Sequence, residues 1–212
     1  MTPSTDNLGC PRRIAIVGGG PAGLRAAEVA AASGAQVTLF EAQRSVGRKF
    51  LVAGRSGLNL TNDEEFEPFL ARYNGENLPA ALWRRMLAEF DAKALRAWAA
   101  ELGVETFVSS GGKVLPIPID GRMKSTPLLR NWIERLRNLG VEFRTAHRWT
   151  GFAPNKTLLL EHEETTLRQE FDAAILALGG GSWPKSGSNG SWVSILEEAG
   201  VRVAILRASN CG

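Results

Sequence analysis

Two periodicities divide the chain. Ile14-Ala15-Ile16-Val17 is a continuous apolar run of the length a buried parallel strand uses. Pro21 to Ala32 is alanine-rich and reads as a helix, closed by Ser33-Gly34. Gln36-Val37-Thr38-Leu39-Phe40-Glu41 is a second apolar run that ends on an acid. Strand, glycine turn, helix and strand in this order make a βαβ core over residues 12–42.

Residues Arg44 to Asn62 are rich in Gly, Arg, Ser and Asn and show no periodic element. A loop of that length inside a compact domain is usually functional. A helical segment follows over 63–103, with helices expected at Asp63–Tyr73, Ala80–Phe90 and Ala92–Leu102. Leu82, Met86, Leu87 and Phe90 give the second an apolar stripe, and Gly103 ends the third. Val104 to Val108 reads as a strand before a turn at Gly111-Gly112. Ser125-Thr126-Pro127 starts a further helix that Gly140 closes. A β-rich segment with a closing strand occupies 141–181: Val141–Arg144, a hairpin of Leu158–His162 with Leu167–Phe171, and a buried strand from Asp172 to Leu178 running into Gly179-Gly180-Gly181. No internal repeat or low-complexity tract interrupts this order.

The 212 residues are 44% hydrophobic and 22% charged with a formal net charge of +3, the profile of a soluble globular protein. Basic and acidic residues are interspersed, so a nucleic-acid partner is not expected. Cys10 and Cys211 form no CxxC pair, which leaves neither a redox dithiol nor a zinc knuckle in view and no metal site expected. Met1 to Pro11 lacks the basic start and apolar run of a signal peptide. No apolar stretch approaches the roughly 20 residues that span a bilayer. A cytoplasmic location without membrane contact is expected.

The candidate chemistry begins at Gly18-Gly19-Gly20-Pro21-Ala22-Gly23. In a GxGxxG turn placed between a strand and a helix, Gly18 makes the tight turn, Gly20 lets the backbone approach a pyrophosphate, and Gly23 lets helix and strand pack closely. Pro21 and Ala22 open the helix, where unpaired N–H groups and the positive dipole end favour anions. Glu41, with Ala42 beside it, stands about 20 residues on, where a carboxylate accepts hydrogen bonds from ribose hydroxyls and repels a 2′-phosphate. These residues predict a grip on the ADP half of a dinucleotide. FAD and NAD share this unit. The loop holding Arg48, Lys49, Asn59, Thr61 and Asn62 just after the acid, and the glycine turn at Ala177, Gly179 and Gly180, favour FAD. An NAD-dependent enzyme and a non-catalytic FAD-binding fragment remain as alternatives.

Longer segments carry a resemblance. Gly47 to Asn62, reading GRKFLVAGRSGLNLTN, is similar to the GRKxLxxGGGRCNxTN segment of a bacterial family of NAD(P)/FAD-dependent oxidoreductases that includes bile-acid enone reductases and aminoacetone-oxidase-like flavoproteins. Ala177 to Gly190, ALGGGSWPKSGSNG, resembles its ATGGxSYPxxGSTG segment, and Lys113-Val114-Leu115-Pro116 its GRVFP stretch. Gly57 and Leu58 stand at the family's Arg-Cys positions and Leu178 at the Thr of ATG, so chemistry tied to that Arg or Cys does not transfer. The resemblance implies an α/β fold: a Rossmann-like FAD-binding domain with a parallel sheet, a helical segment and a small antiparallel β segment. It implies electron or hydride transfer through flavin to or from a small organic substrate, with NAD(P)H as donor.

Family members run to about twice this length, so residues 1–212 are expected to be an incomplete FAD-binding domain, an excerpt ending before an inserted substrate domain. No second GxGxxG follows Gly179 and Gly181, so no separate NAD(P)H domain is expected within these residues. Catalytic residues are unassigned. His147 and His162 read as surface or strand-facing residues, and Asp120, Arg122 and Lys124 as a solvated loop. Trp183 and Trp192 fit either flavin contact or apolar packing.

Overall fold

A computed structural model describes residues 11–53, 57–73, 78–118, 125–181, 187 and 189–207. The elements in chain order are β1 (Arg13–Val17), α1 (Pro21–Ala32), β2 (Gln36–Glu41), α2 (Arg48–Ala53), β3 (Thr61–Asn62), α3 (Phe66–Ala71), α4 (Ala80–Glu89), α5 (Ala92–Glu101), β4 (Thr106–Val108), β5 (Lys113–Pro116), α6 (Thr126–Asn138), β6 (Glu142–Thr145), β7 (Arg148–Phe152), β8 (Leu158–His162), β9 (Thr165–Gln169), β10 (Ala173–Leu176) and α7 (Trp192–Glu198). They form two units: Met1–Lys49 with Leu136–Gly212, and Phe50–Arg135.

The first unit is built on a parallel sheet of order β10-β1-β2-β6. Its central strands read as continuous apolar runs because both faces are covered. Ala15, Val17 and Phe40 pack on one face against Trp149, Leu158 and Leu160 of a three-stranded antiparallel sheet of order β7-β8-β9. Strand alternation turns Ile16 and Leu39, both fully buried, to the face that α1 covers with Leu24 and Ala27. Burying a side chain such as Phe40 stabilises the fold by about 1.5–3 kcal/mol. At the far end of α1, Gly34 takes φ +87 as the expected helix stop.

The second unit pairs a small antiparallel sheet of order β3-β5-β4 with helices α3, α4 and α5. Asp91 caps α5 by accepting a hydrogen bond from the Ala94 N–H at 2.7 Å. Trp98 and Trp132 meet edge to face at 4.7 Å in its core.

The βαβ core follows the sequence expectation residue for residue in α1 and β2. Elsewhere the structure corrects it. The Arg44–Asn62 stretch contains the short helix α2 and the two-residue strand β3 rather than loop alone. The first helix of the 63–103 segment is shorter, Phe66–Ala71. The apolar stripe of α4 buries no residue, and Met86 is 43% exposed. Strands β5 and β7 are additions, and the second hairpin strand lies two residues earlier than expected, at Thr165–Gln169. The closing strand is shorter and is not buried: Ala173, Ala174 and Ile175 are exposed. An apolar run signals a strand, but an outer strand is covered only by what packs against it, and β10 is the outer strand of the described sheet.

No helix among the described residues is long and apolar enough to cross a membrane. Among them, too, no group of three or more His, Cys, Asp or Glu side chains could hold a metal ion. Cys10, Cys211, Asp120, Arg122, Lys124 and Trp183 lie outside the described residues.

Candidate functional site

The carboxyl ends of β1, β2 and β10 come together in the first unit. The chain leaves β1 for β2 on one side, while β10 joins β1 on the other. That reversal opens the crevice where α/β sheets hold ligands.

Three glycines of the turn have different reasons to be glycine. Gly18 sits at φ +109, and a Cβ there would run into the Ala177 carbonyl oxygen at the end of β10. A Cβ on Gly23 would run into the Gly18 carbonyl oxygen. Both are demanded by packing alone. Gly20 differs: a Cβ built on it meets nothing within 4 Å, and its φ of −78 and ψ of −179 suit any residue. The fold itself therefore gives no steric reason for glycine at position 20.

Gly20 is also the N-cap of α1, with no side chain capping the helix. The first helical bond runs from the Leu24 N–H to the Gly20 carbonyl at 2.9 Å. The N–H groups of Ala22 and Gly23 precede that bond and have no partner within the helix, and Pro21 has no N–H to leave unpaired. An anion placed here meets donors and the positive end of a 12-residue helix. This is a fit for a pyrophosphate: open space over a bare backbone, with the donors already oriented.

Glu41 ends β2 beside the turn. Its Oε2 accepts the Gly19 N–H at 2.7 Å, and its Oε1 accepts the Gln43 N–H at 2.8 Å. Each oxygen keeps further acceptor capacity for a hydroxyl. Gly19 lies within the glycine turn, but the sequence reasoning gave it no role of its own. Its carbonyl accepts the Gly47 N–H at 2.8 Å, and a Cβ on it would stand 2.5 Å from Val46 Cγ1. Its peptide thus ties the turn both to the acid and to the segment that follows. A GGG run is the only signal that marks it.

The remaining candidates are distributed as follows. Ala42 is exposed beside Glu41. Arg48, exposed, and Lys49, half-buried, open α2. Ala177 donates its N–H to the Val17 carbonyl at 2.7 Å, which fixes the end of β10 against the turn. Gly179, at φ +73, and Gly180 follow it and are exposed. Asn59, Thr61 and Asn62 belong to the second unit, where Thr61 pairs with Val114 and Asn62 with Lys113 in the β3–β5 ladder. The structure gathers Gly18, Gly20, Pro21, Ala22, Gly23, Glu41 and Ala177 at one end of the parallel sheet. Trp192 packs against the apolar core of the first unit. His147 and His162 are half-buried and stacked on each other, with ring centroids 4.1 Å apart.

Comparison with known proteins agrees with this architecture. A 3-dehydro-bile acid delta(4,6)-reductase of Clostridium scindens is 32% identical over 196 residues, 89% of this chain and 44% of that protein. The chain therefore spans less than half the length of this curated relative. Among solved structures, a 3-ketosteroid-delta4-(5alpha)-dehydrogenase from Rhodococcus jostii superposes with a TM-score of 0.62 at 17% identity, covering 84% of this chain and 48% of the other. The open conformation of a flavocytochrome c3 fumarate reductase gives 0.59 at 21% identity, covering 80% and 34%. At these identities the likeness is one of fold, and it bears out the Rossmann-like α/β expectation. The resemblance to a bacterial NAD(P)/FAD-dependent oxidoreductase family that includes bile-acid enone reductases is borne out as well. With residues 12–208 matching its model, the chain belongs to the family described as HI0933-like protein Rossmann domain.

Proposed function

We propose that this chain supplies the FAD grip of a flavoprotein oxidoreductase. The observation that carries the reading is Gly20: a glycine with no steric neighbour, at the uncapped start of α1, beside a carboxylate. Gly18 and Gly23 shape the turn, while Gly20, Pro21 and Ala22 present the backbone to the pyrophosphate. Glu41 accepts from the adenosine ribose, with Ala42 next to it, and Ala177, Gly179 and Gly180 give the cofactor a second close approach to backbone. Arg48, Lys49, Asn59, Thr61 and Asn62 are assigned to the cofactor through the family resemblance of the Gly47–Asn62 segment. The acid at position 41 disfavours a 2′-phosphate, so NADP is a poor ligand for this same grip.

When bound, the flavin supplies the two-electron chemistry, and the protein binds, orients and shields it. The names of two similar proteins, a bile-acid reductase and a ketosteroid dehydrogenase, favour a small organic substrate with a carbon–carbon double bond conjugated to a ketone; NAD(P)H as donor follows from the family resemblance alone. Purified protein is expected to be yellow, or to become so when reconstituted with FAD. Colourless protein that takes up NAD but no FAD would instead make it an NAD-dependent enzyme. Bound FAD that neither NAD(P)H nor dye acceptors turn over would reduce the chain to a binding fragment.

A further inference from the structure

An unbroken hydrogen-bond path leads from the far hairpin to the glycine turn. His162, the last residue of β8, contacts the Ala146 carbonyl through Nδ1 at 3.0 Å. A carbonyl only accepts, so Nδ1 carries the proton and donates. The Ala146 N–H donates to the Gln43 carbonyl at 2.9 Å, and the His147 N–H donates to the Glu41 carbonyl at 2.9 Å. The Gln43 N–H donates to Glu41 Oε1, and the Gly19 N–H to Glu41 Oε2. Ala146 sits at φ +57, in the left-handed region that a residue with a Cβ adopts only when its surroundings hold it there. Two further contacts supply that hold. The His147 ring donates from Nδ1 to the Thr145 carbonyl at 2.8 Å and stacks on the His162 ring at 4.1 Å with planes 10° apart.

We infer that His162 is a positioning residue for the dinucleotide grip, holding the Ala146 crossover that in turn holds Glu41 and Gln43. The inference rests on the reading of this unit as a dinucleotide site. His162 touches no ligand in this arrangement. It acts by keeping Ala146 in its unfavoured backbone geometry, so that the segment after β2 presents its acid to the turn in one orientation before any ligand arrives.

The test compares wild type with His162→Ala, His162→Phe and His162→Asn. Asparagine Nδ2 can stand where the imidazole Nδ1 stands and donate to Ala146, whereas phenylalanine keeps a ring to stack but has no donor. FAD affinity is measured by flavin fluorescence titration, and amide exchange at Ala146 and His147 is followed by NMR on ligand-free protein. His162→Ala and His162→Phe are expected to weaken FAD binding roughly fivefold to tenfold, the scale of one net hydrogen bond, and to speed both amides. His162→Asn is expected to restore both within about twofold. Wild-type affinity in His162→Phe, or His162→Asn as weak as His162→Phe, overturns the inference. Should His162→Ala fail to fold, the Phe and Asn pair alone decides. Should no version bind FAD, the proposed function has failed, and amide exchange still judges the positioning: equal rates in all variants refute it.

Discussion

Substituting Gly20 by alanine separates what the fold needs from what a ligand needs. The added methyl meets no atom within 4 Å, and the backbone angles at position 20 are ordinary for alanine. Reduced freedom of the unfolded chain favours alanine by about 0.4–1 kcal/mol. Alanine is the poorer N-cap, which takes back several tenths of a kcal/mol or more. These terms nearly cancel, and Gly20→Ala is expected to unfold within about 2 °C of wild type for a chain this size. If a pyrophosphate lies on this backbone, the same methyl stands in its way. A loss of about 1.4–2.8 kcal/mol, tenfold to a hundredfold in FAD affinity, is expected. Thermal melting and flavin fluorescence titration on the same preparation read the two quantities separately. Unchanged affinity would show that no phosphate approaches Gly20. A melting point lowered by more than about 5 °C would show that the space above it is filled by the protein itself.

Gly23→Ala should behave in the opposite way, since its methyl would run into the Gly18 carbonyl oxygen, which is backbone and cannot swing aside. A destabilisation of about 1–3 kcal/mol or more is expected in denaturant unfolding without ligand. Glu41→Gln offers one oxygen where the carboxylate offers two, so either the Gly19 or the Gln43 N–H must face an amide NH2. About 1–3 kcal/mol should be lost, divided between melting temperature and FAD affinity, and wild-type values in both would refute the bracing role. Glu142 is held below the usual carboxylate range, first by its hydrogen bond from Arg144. A lowered folded-state pKa contributes stability above the unfolded value and loses it as pH falls through the folded value. Arg144→Met should therefore cost less than about 1 kcal/mol at neutral pH, as an exposed pair does. When unfolding is compared across pH, the part of that difference carried by Glu142 should vanish in acid, below the ordinary carboxylate range, leaving only what Arg144 contributes over the Phe40 ring.

The βαβ core was legible because its signals are local. Ile14–Val17 is uniformly apolar, the glycines punctuate it, and the alanine run after Pro21 has a glycine stop. Strand β7 was not, because Arg148-Trp149-Thr150-Gly151-Phe152 contains a glycine at a register shift and buries only Trp149 and Gly151. Helix α2 is six residues long, too short for a periodicity to declare itself. The candidate acid was found from its distance behind the glycines, yet its bond to Gly19 was not. That contact links residues 22 apart through a backbone N–H, and a backbone donor leaves no mark in composition. The contact between His162 and Ala146 was hidden for the same reason.

The outer strand β10 has a consequence for handling the chain. Ala173, Ala174 and Ile175 offer solvent a short, uncharged, apolar strand at the margin of a sheet, with Ile175 41% exposed. Edges of this kind recruit strands from neighbouring molecules, and charged or proline gatekeepers normally blunt them. None stands within Ala173–Leu176. Where nothing further covers this margin, a strand from another molecule can pair with it, and Ile175→Lys is the substitution that would interrupt such pairing.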